Sequence, residues 1–398
     1  MQHRIIVLGA GYAGAIAAGR IAKRLRRDDA TVTLVNAEPD FVERVRMHQL
    51  AAGQDLTPRP FGKMFAGTGV ELRVGRVTAV DVDLKTVTVQ GADGPDGPDG
   101  IDELAYDTLV YALGSAWNPQ GVPGTAEHAH EIASRPGALR LRDRLAALPP
   151  GGSVVVVGGG LTGLEAATEF AEARPDLDIA LAARGGLGDW LSPAGRRHVR
   201  KVCDRLGITV HEHTAVTEVG AGHVTTADGT SFPASVTVWT AGFAVHPLAA
   251  ATPLETDGTG RIVVDATMRS VSHPDVYAIG DAALVAGPGD KPLRMSCASG
   301  IPTAWQAADS LAARLTGRKL PHTPLRYFNQ CVSLGRKDGL IQYVTADDRS
   351  VRGVLTGRIA AVYKELVCKG AAWGVANPTT GMPTRRHPAT APRPEPAG

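Results

Sequence analysis

Short runs of branched and apolar residues alternate along this chain with stretches of helical period. Arg4–Leu8 (RIIVL) is apolar after its first residue, which predicts a strand buried on both faces of a parallel sheet. Ala13–Leu25 follows with small and apolar residues at helical spacing and runs into the basic stretch Lys23–Arg27. Thr31–Val35 alternates β-branched and apolar residues, and it completes a β-α-β unit. Val70–Val80 and Lys85–Gln90 read as antiparallel strands, Gly91–Gly100 (GADGPDGPDG) as a turn-rich loop, and Leu109–Leu113 as another buried strand.

The pattern restarts after the breaker cluster Pro149–Gly152. Ser153–Val157 predicts a strand, Gly163–Ala173 a helix, and Ile179–Ala183 a strand, with Val236–Thr240 closing this second unit. Two β-α-β units about one domain length apart imply a duplicated doubly wound α/β architecture. Val276–Ile279 is a further short strand and Ile301–Leu315 a long helix. Beyond Pro321 come strand-like runs at Gln330–Leu334 and Gly339–Val344, then a helix over Gly357–Cys368. The segment from Arg386, rich in proline and alanine, is expected to be disordered.

Glycines stand where chemistry can enter this pattern. Gly9-Ala-Gly11-Tyr-Ala-Gly14 lies between the first strand and the first helix. In a dinucleotide site the first glycine makes the tight turn and the second admits a pyrophosphate to the backbone. The third lets helix and strand approach, and the phosphate charge faces the helix N-terminus. Gly158-Gly-Gly160-Leu-Thr-Gly163 repeats the arrangement after Val154–Val157. Two fingerprints imply two dinucleotides side by side, as a flavoenzyme reduced by a nicotinamide cofactor requires. In Val276-Tyr-Ala-Ile-Gly280-Asp281, a carboxylate ends a short strand and can accept hydrogen bonds from the ribitol of FAD.

Composition narrows the alternatives. The 398 residues carry 42 Lys+Arg against 40 Asp+Glu, scattered along the chain, so no charge argument favours nucleic acid or a polybasic membrane patch. Cys203, Cys297, Cys331 and Cys368 form no C-x-x-C pair, which excludes a zinc ribbon and a local dithiol and gives no metal site. No charged leader precedes the first strand, and no stretch reaches the ~18 apolar residues of a spanning helix. The expectation is a cytoplasmic, soluble protein, with peripheral membrane association left open.

In order, GAGYAG, YALGS (Tyr111–Ser115), GGGLTGLEAA (Gly158–Ala167), TAGF (Thr240–Phe243) and YAIGDAA (Tyr277–Ala283) resemble the two-dinucleotide flavoproteins. These are FAD-containing, pyridine-nucleotide-dependent reductases, and this chain is most similar to their type II NADH dehydrogenase and apoptosis-inducing-factor-like branch. The resemblance implies an FAD domain (1–115 and 245–320) split around an inserted NAD(P)H domain (116–244). It also implies a smaller α+β C-terminal domain (321–385) ahead of the tail (386–398). It places Gly9, Gly11, Tyr12, Ala13, Gly14, Asn36, Val77, Ala112, Gly114, Gly280, Asp281 and Ile301 around FAD. Gly158, Gly160, Gly163, Arg184 and Gly242 fall with the nicotinamide cofactor, and Glu165 lies near flavin and nicotinamide.

Departures from the pattern sharpen the reading. No cysteine pair adjoins either fingerprint, so the dithiol relays of glutathione reductase and thioredoxin reductase are excluded. Electrons must pass from flavin directly to an acceptor, for which a quinone-like small molecule is the first choice. Asn36 replaces the acid expected after the second strand, although its amide can still bind a ribose. In the second unit the strand ends Ala182-Ala183-Arg184, with no carboxylate for the NADH ribose and an arginine suited to a 2′-phosphate. Cys297–Thr303 lacks both glutamines of the A-Q-x-A-x-Q stretch that type II dehydrogenases carry near the quinone. Gly357–Gly370 has one modest apolar stripe, expected to pack in the core, so the acceptor is expected to be soluble and no strong membrane anchor is expected. Arg44, Arg46 and His48, evenly spaced, share a face if extended, with Arg44 and His48 as candidate catalytic groups. A ferredoxin or rubredoxin reductase, a secondary-metabolite tailoring enzyme and a redox-responsive binding protein remain alternatives, and the pattern leaves room for a homodimer.

Overall fold

His3–Leu8 carries branched side chains on both faces because it is flanked on both edges and covered on both sides. It pairs in parallel with Ala30–Asn36 and with Thr108–Tyr111, and Ile5 through Leu8 are almost wholly shielded from solvent. The sheet is seven-stranded among the described residues. Its order is Val276–Ala278, Thr108–Tyr111, His3–Leu8, Ala30–Asn36, Val70–Asp81, Thr86–Gly91 and Ile101–Ala105. The first five strands run parallel, and the last two are added by antiparallel pairings. The computed structural model describes residues 2–91, 100–321, 324–377 and 386–389. The glycine-rich loop expected between Gly91 and Gly100 therefore falls outside the described residues except at its two ends.

The chain leaves this sheet through Ser115–Trp117 and returns through Phe243–Val245, two short strands that pair antiparallel. Between them lies a second sheet, all parallel, ordered Thr209–His211, Asp178–Ala182, Ser153–Val157, Val236–Trp239, Ala129–His130. Helices Tyr12–Arg24 and Leu161–Ala173 each open directly after a glycine turn, and each buries its small-residue face against its own sheet. Helix Cys297–Leu315 packs on the first of them and starts four residues before its apolar period suggests. That start sets Cys297 at the helix N-terminus.

The C-terminal unit is an antiparallel meander, Asn329–Ser333, Gly339–Val344 and Ser350–Thr356, followed by helix Gly357–Ala376. Its hairpin joins a core shared with the second sheet, in which Val332, Leu334 and Leu340 meet Leu164, Val199 and Val202. Met47–Ala51, although part of the first unit in sequence, packs into the same core. The final helix departs from expectation. Only Ala360, Cys368, Ala372 and Val375 are buried, while Ile359, Val362, Leu366 and Trp373 are 70%, 54%, 63% and 53% exposed. The apolar stripe thus faces outward rather than into the core. Arg386–Ala389, the head of the segment expected to be disordered, lies against the first unit: His387 bridges to Leu25 and the Ala389 N–H donates to Asp29.

Candidate functional site

The two glycine turns have the same geometry. Gly9 has φ +88°, and a Cβ there would sit 2.5 Å from the Ala112 carbonyl oxygen, while one on Gly14 would overlap the carbonyl oxygen of Gly9. In the second unit Gly158 has φ +129° with its Cβ position 2.5 Å from Thr240 Oγ1, and a Cβ on Gly163 would overlap the Gly158 oxygen. Those glycines serve turn and packing. The middle ones differ, since a Cβ on Gly11 or Gly160 would meet nothing within 4 Å. Each turn thus leaves open space in front of helix N–H groups, where a pyrophosphate fits.

The groups around the first turn suit FAD. Ala13, Gly280 and Gly300 converge, with the Cβ position of Gly280 only 3.2 Å from the Ala13 Cβ. Asp281 accepts a 2.7 Å hydrogen bond from Ser115 Oγ on one oxygen, which leaves the other for a ribitol hydroxyl. Asp281, Arg294, Ser299 and Thr303 line a small cleft beside it. Arg44 donates to the Ser115 carbonyl at 2.7 Å; burial lowers its basicity, while Asp281 and Glu131 favour its charge. Gly114 is 3.8 Å, at its Cβ position, from the Arg44 guanidinium. The Tyr12 ring packs edge-on to Phe41, and its hydroxyl is buried without a hydrogen-bond partner among the described residues. Asn36 is occupied differently from expectation: its oxygen accepts from Ala10 N–H at 2.9 Å and its amide donates to the Glu38 carbonyl. It braces the glycine turn and keeps one amide hydrogen for a ribose. Val77 is a core side chain, and Ile301 packs half-buried against the same core.

On the nicotinamide side, Arg184 is exposed directly after buried Ala183. Gly159 lies close to Ala183, and Gly242 is close to the Gln120 amide. Where a carboxylate would meet the ribose of NADH, this strand end offers a methyl group and a guanidinium.

Glu165 stands just past the first turn of helix Leu161–Ala173 and is buried. It is not a solvated helix-end glutamate. Its Oε1 accepts the Ser333 N–H and the Lys364 ammonium, both at 3.0 Å. Burial opposes its ionisation, but Lys364 and the Ser333 N–H together hold its carboxyl below the usual value. Lys364 is held charged by Glu165 in spite of its own burial. One turn on, Glu169 is pushed up to about 7, first by burial, against the pull of Arg336 and Gln54.

Arg44, Arg46 and His48 do not share one face. Residues 44–46 form a 3₁₀ turn and 47–51 a helical turn, so the even spacing of an extended strand is absent. Arg44 points to Ser115 and Asp281. Arg46 pairs with Glu43 and with Glu365 of the final helix. His48 is buried beside Glu169, and burial pushes its imidazole down to about 4.

Lys364 escaped the sequence reading because its helix looked like an ordinary core element; a cation in the middle of an apolar period was the available signal. Three cysteines distant in sequence also converge. Cys297, Cys331 and Cys368 lie within electrostatic reach of Lys364, and burial raises all three thiols. They are therefore held as neutral thiols.

Two strand–glycine turn–helix units in one chain are the arrangement of a two-dinucleotide oxidoreductase. The family model of pyridine nucleotide-disulphide oxidoreductases matches residues 3–311, and the chain belongs to that family. An NADH dehydrogenase-like protein of Mycobacterium tuberculosis is 29% identical over 358 residues, which cover 83% of this chain and 86% of the relative. The demethylphylloquinone reductase of Synechocystis is 25% identical over 381 residues, 91% of this chain and 92% of that one. Among solved structures, NDH2 of Plasmodium falciparum in complex with NADH shares the fold, with a TM-score of 0.78 at 15% identity, over 97% of this chain and 100% of its own. The protein is a flavin-dependent oxidoreductase that takes its electrons from a nicotinamide cofactor. No described helix is long and apolar enough to cross a membrane.

Proposed function

We propose that this protein oxidises NAD(P)H and reduces a lipophilic quinone, with NADPH accepted at least as well as NADH. The observation that carries the reading is the double face of helix Gly357–Ala376. It turns Lys364 inward onto Glu165 and turns Ile359, Val362, Leu366 and Trp373 outward. An exposed apolar face next to a buried charge pair suits an acceptor with a hydrocarbon tail and a head that becomes negative as it is reduced. The name of the Synechocystis relative supports the same acceptor class.

FAD, when bound, supplies the centre that takes up hydride and releases electrons. Gly9, Gly11, Gly14 and Asp281 hold it, and Gly158, Gly160 and Gly163 hold the nicotinamide cofactor. Lys364 supplies fixed positive charge at the acceptor side, and Glu165 both retains that charge and offers a proton-accepting oxygen. Arg44 adds a second, half-buried cation beside Asp281. The net reaction is NAD(P)H plus quinone plus one solvent proton, giving NAD(P)⁺ and quinol. Burial of the thiols keeps them out of this chemistry.

Purified yellow protein should turn over continuously with NADPH and menadione. Ile359→Glu with Leu366→Glu should weaken turnover with a long-tailed quinone in lipid vesicles while sparing menadione. Oxidation of one equivalent of NADPH followed by arrest with every quinone tested would instead favour the redox-responsive binding protein.

A further inference from the structure

Quinone reduction by NAD(P)H consumes one proton more than the hydride supplies, and that proton must cross the protein from solvent to a shielded site. The buried polar residues behind Glu165 offer a route. Glu169 lies one turn along the same helix, so its side chain falls on the same face. It is 1% exposed, and His48 opposite it is 3% exposed. Glu169 Oε2 and His48 Nε2 face each other at 4.0 Å, and neither atom has a hydrogen-bond partner among the described residues. The other Glu169 oxygen accepts from the side-chain amide of half-buried Gln54, which connects it toward the surface. His48 in turn lies within electrostatic reach of Glu165. An unsatisfied buried carboxylate oxygen facing an unsatisfied buried imidazole nitrogen is costly, and the pair is explained if it passes a proton.

We propose that Glu169 and His48 form the proton-entry relay of this enzyme, passing a solvent proton from the Gln54 side to Glu165 and on to the acceptor. The inference rests on the quinone-reductase reading. In each cycle Glu169 takes a proton from solvent, His48 accepts it on one ring nitrogen and releases one from the other toward Glu165. A flip of the imidazole ring then restores the starting tautomer, so the relay returns to its starting state, and all electrons come from NAD(P)H. Held neutral by burial, the imidazole can both accept and donate. Glu169, poised near neutrality, can load and unload at working pH. The charged groups facing the pair are Glu165 and Glu172 on its own helix, Arg46 on the 3₁₀ turn, Arg336 on the C-terminal hairpin and Lys364 on the final helix. Both relay residues act through Glu165.

The test compares two acceptors on FAD-loaded protein. Ferricyanide takes electrons without protons, whereas menadione takes both. Glu169→Gln and His48→Gln should each slow menadione reduction about tenfold or more, and the wild-type pH limb near 7 should vanish in Glu169→Gln. Ferricyanide turnover and the rate of flavin bleaching by NADPH should stay within twofold. Glu169→Asp should recover part of the menadione rate. Infrared difference spectra of the holoprotein should show a protonated carboxyl that titrates near 7 and disappears in Glu169→Gln. If Glu169→Gln keeps full menadione turnover with the limb near 7 intact, the relay is refuted. Equal loss with both acceptors also refutes it, by marking a structural role. Wild-type protein that reduces ferricyanide but no quinone refutes the acceptor assignment instead, which separates the two failures.

Discussion

The Glu169–His48 pair makes a prediction about stability that needs no substrate. Burial raises the Glu169 carboxyl from its ordinary value of 4.5 to about 7, so the native state binds that proton more tightly than the unfolded chain does. The resulting stability is fully present below about 4.5 and is lost as pH rises through about 7. Burial lowers the His48 imidazole from 6.5 to about 4, so here the unfolded chain binds the proton more tightly, and stability is gained as pH rises from about 4 to about 6.5. Each gap corresponds to roughly 3 kcal/mol, and each slope cannot exceed about 1.4 kcal/mol per pH unit, the value for one proton. Between about pH 4.5 and 6.5 the two slopes oppose each other and nearly cancel in the wild type. Glu169→Gln removes the falling contribution, so its stability relative to wild type should climb with pH across that window. His48→Gln removes the rising one, and its relative stability should fall. The assay is urea unfolding of the FAD-loaded protein followed by flavin fluorescence, at half-unit steps from pH 4.5 to 7.5. Every other titrating group is common to the three proteins, so differences from wild type isolate the pair. Curves that stay parallel for both variants would refute the assignment of a neutral buried imidazole beside a raised carboxyl.

Other perturbations separate packing from chemistry. Gly11→Val should give folded but colourless protein, because its side chain enters open space reserved for the pyrophosphate, whereas Gly14→Ala should cost about 1–3 kcal/mol of stability by driving a methyl group into the Gly9 carbonyl; melting temperature and the flavin absorbance read the two effects apart. Arg184→Ala should lower kcat/KM for NADPH by about one to two decades and leave NADH nearly unchanged, as steady-state kinetics with the two cofactors will show. Lys364→Met strands a buried carboxylate and should cost about 3–5 kcal/mol, most of it recovered in Glu165→Gln/Lys364→Met, while menadione turnover stays low in both; a double variant no more stable than the single would mean the pair is not coupled.

Much of the scaffold was legible because its signals are local. Arg4–Leu8 and Ser153–Val157 are apolar runs a few residues long, and each glycine motif directly follows its strand, so period and position alone place the turns. The place of Asp281 just beyond a short strand was legible for the same reason. The charge network was not. His48, Glu165, Glu169 and Lys364 come from three segments more than a hundred residues apart, and nothing in the sequence says that Met47–Ala51 leaves its own unit to pack against helix Leu161–Ala173. The even spacing of Arg44, Arg46 and His48 suggested an extended face, but Glu43–Arg46 and Arg46–Glu365 pairing accompanies a helical turn there instead. The final helix was misread for a related reason. An apolar stripe at helical period marks one face of a helix without saying whether that face meets core or surroundings. In this protein the core side is filled by Ala360, Cys368, Ala372 and Val375, small residues that let the helix approach closely.

That close approach is what gives the site its chemistry. A lysine four carbons long can reach Glu165 only if its helix lies near helix Leu161–Ala173, and Lys364 also donates to the Cys331 carbonyl at 3.1 Å, which fixes its ammonium between two units. Arg46 and Arg336, from the first unit and the hairpin, both reach Glu365 on the adjacent position of the final helix. The helix that exposes the apolar stripe is therefore clamped by charge to each dinucleotide unit at neighbouring residues. A tail-bearing acceptor engaging the stripe would load the same rigid element that carries Lys364, and the acceptor head and the buried charge would be brought into register by one piece of secondary structure. On the quinone-reductase proposal the outward stripe and the inward lysine act as a single device, set on opposite faces of one helix.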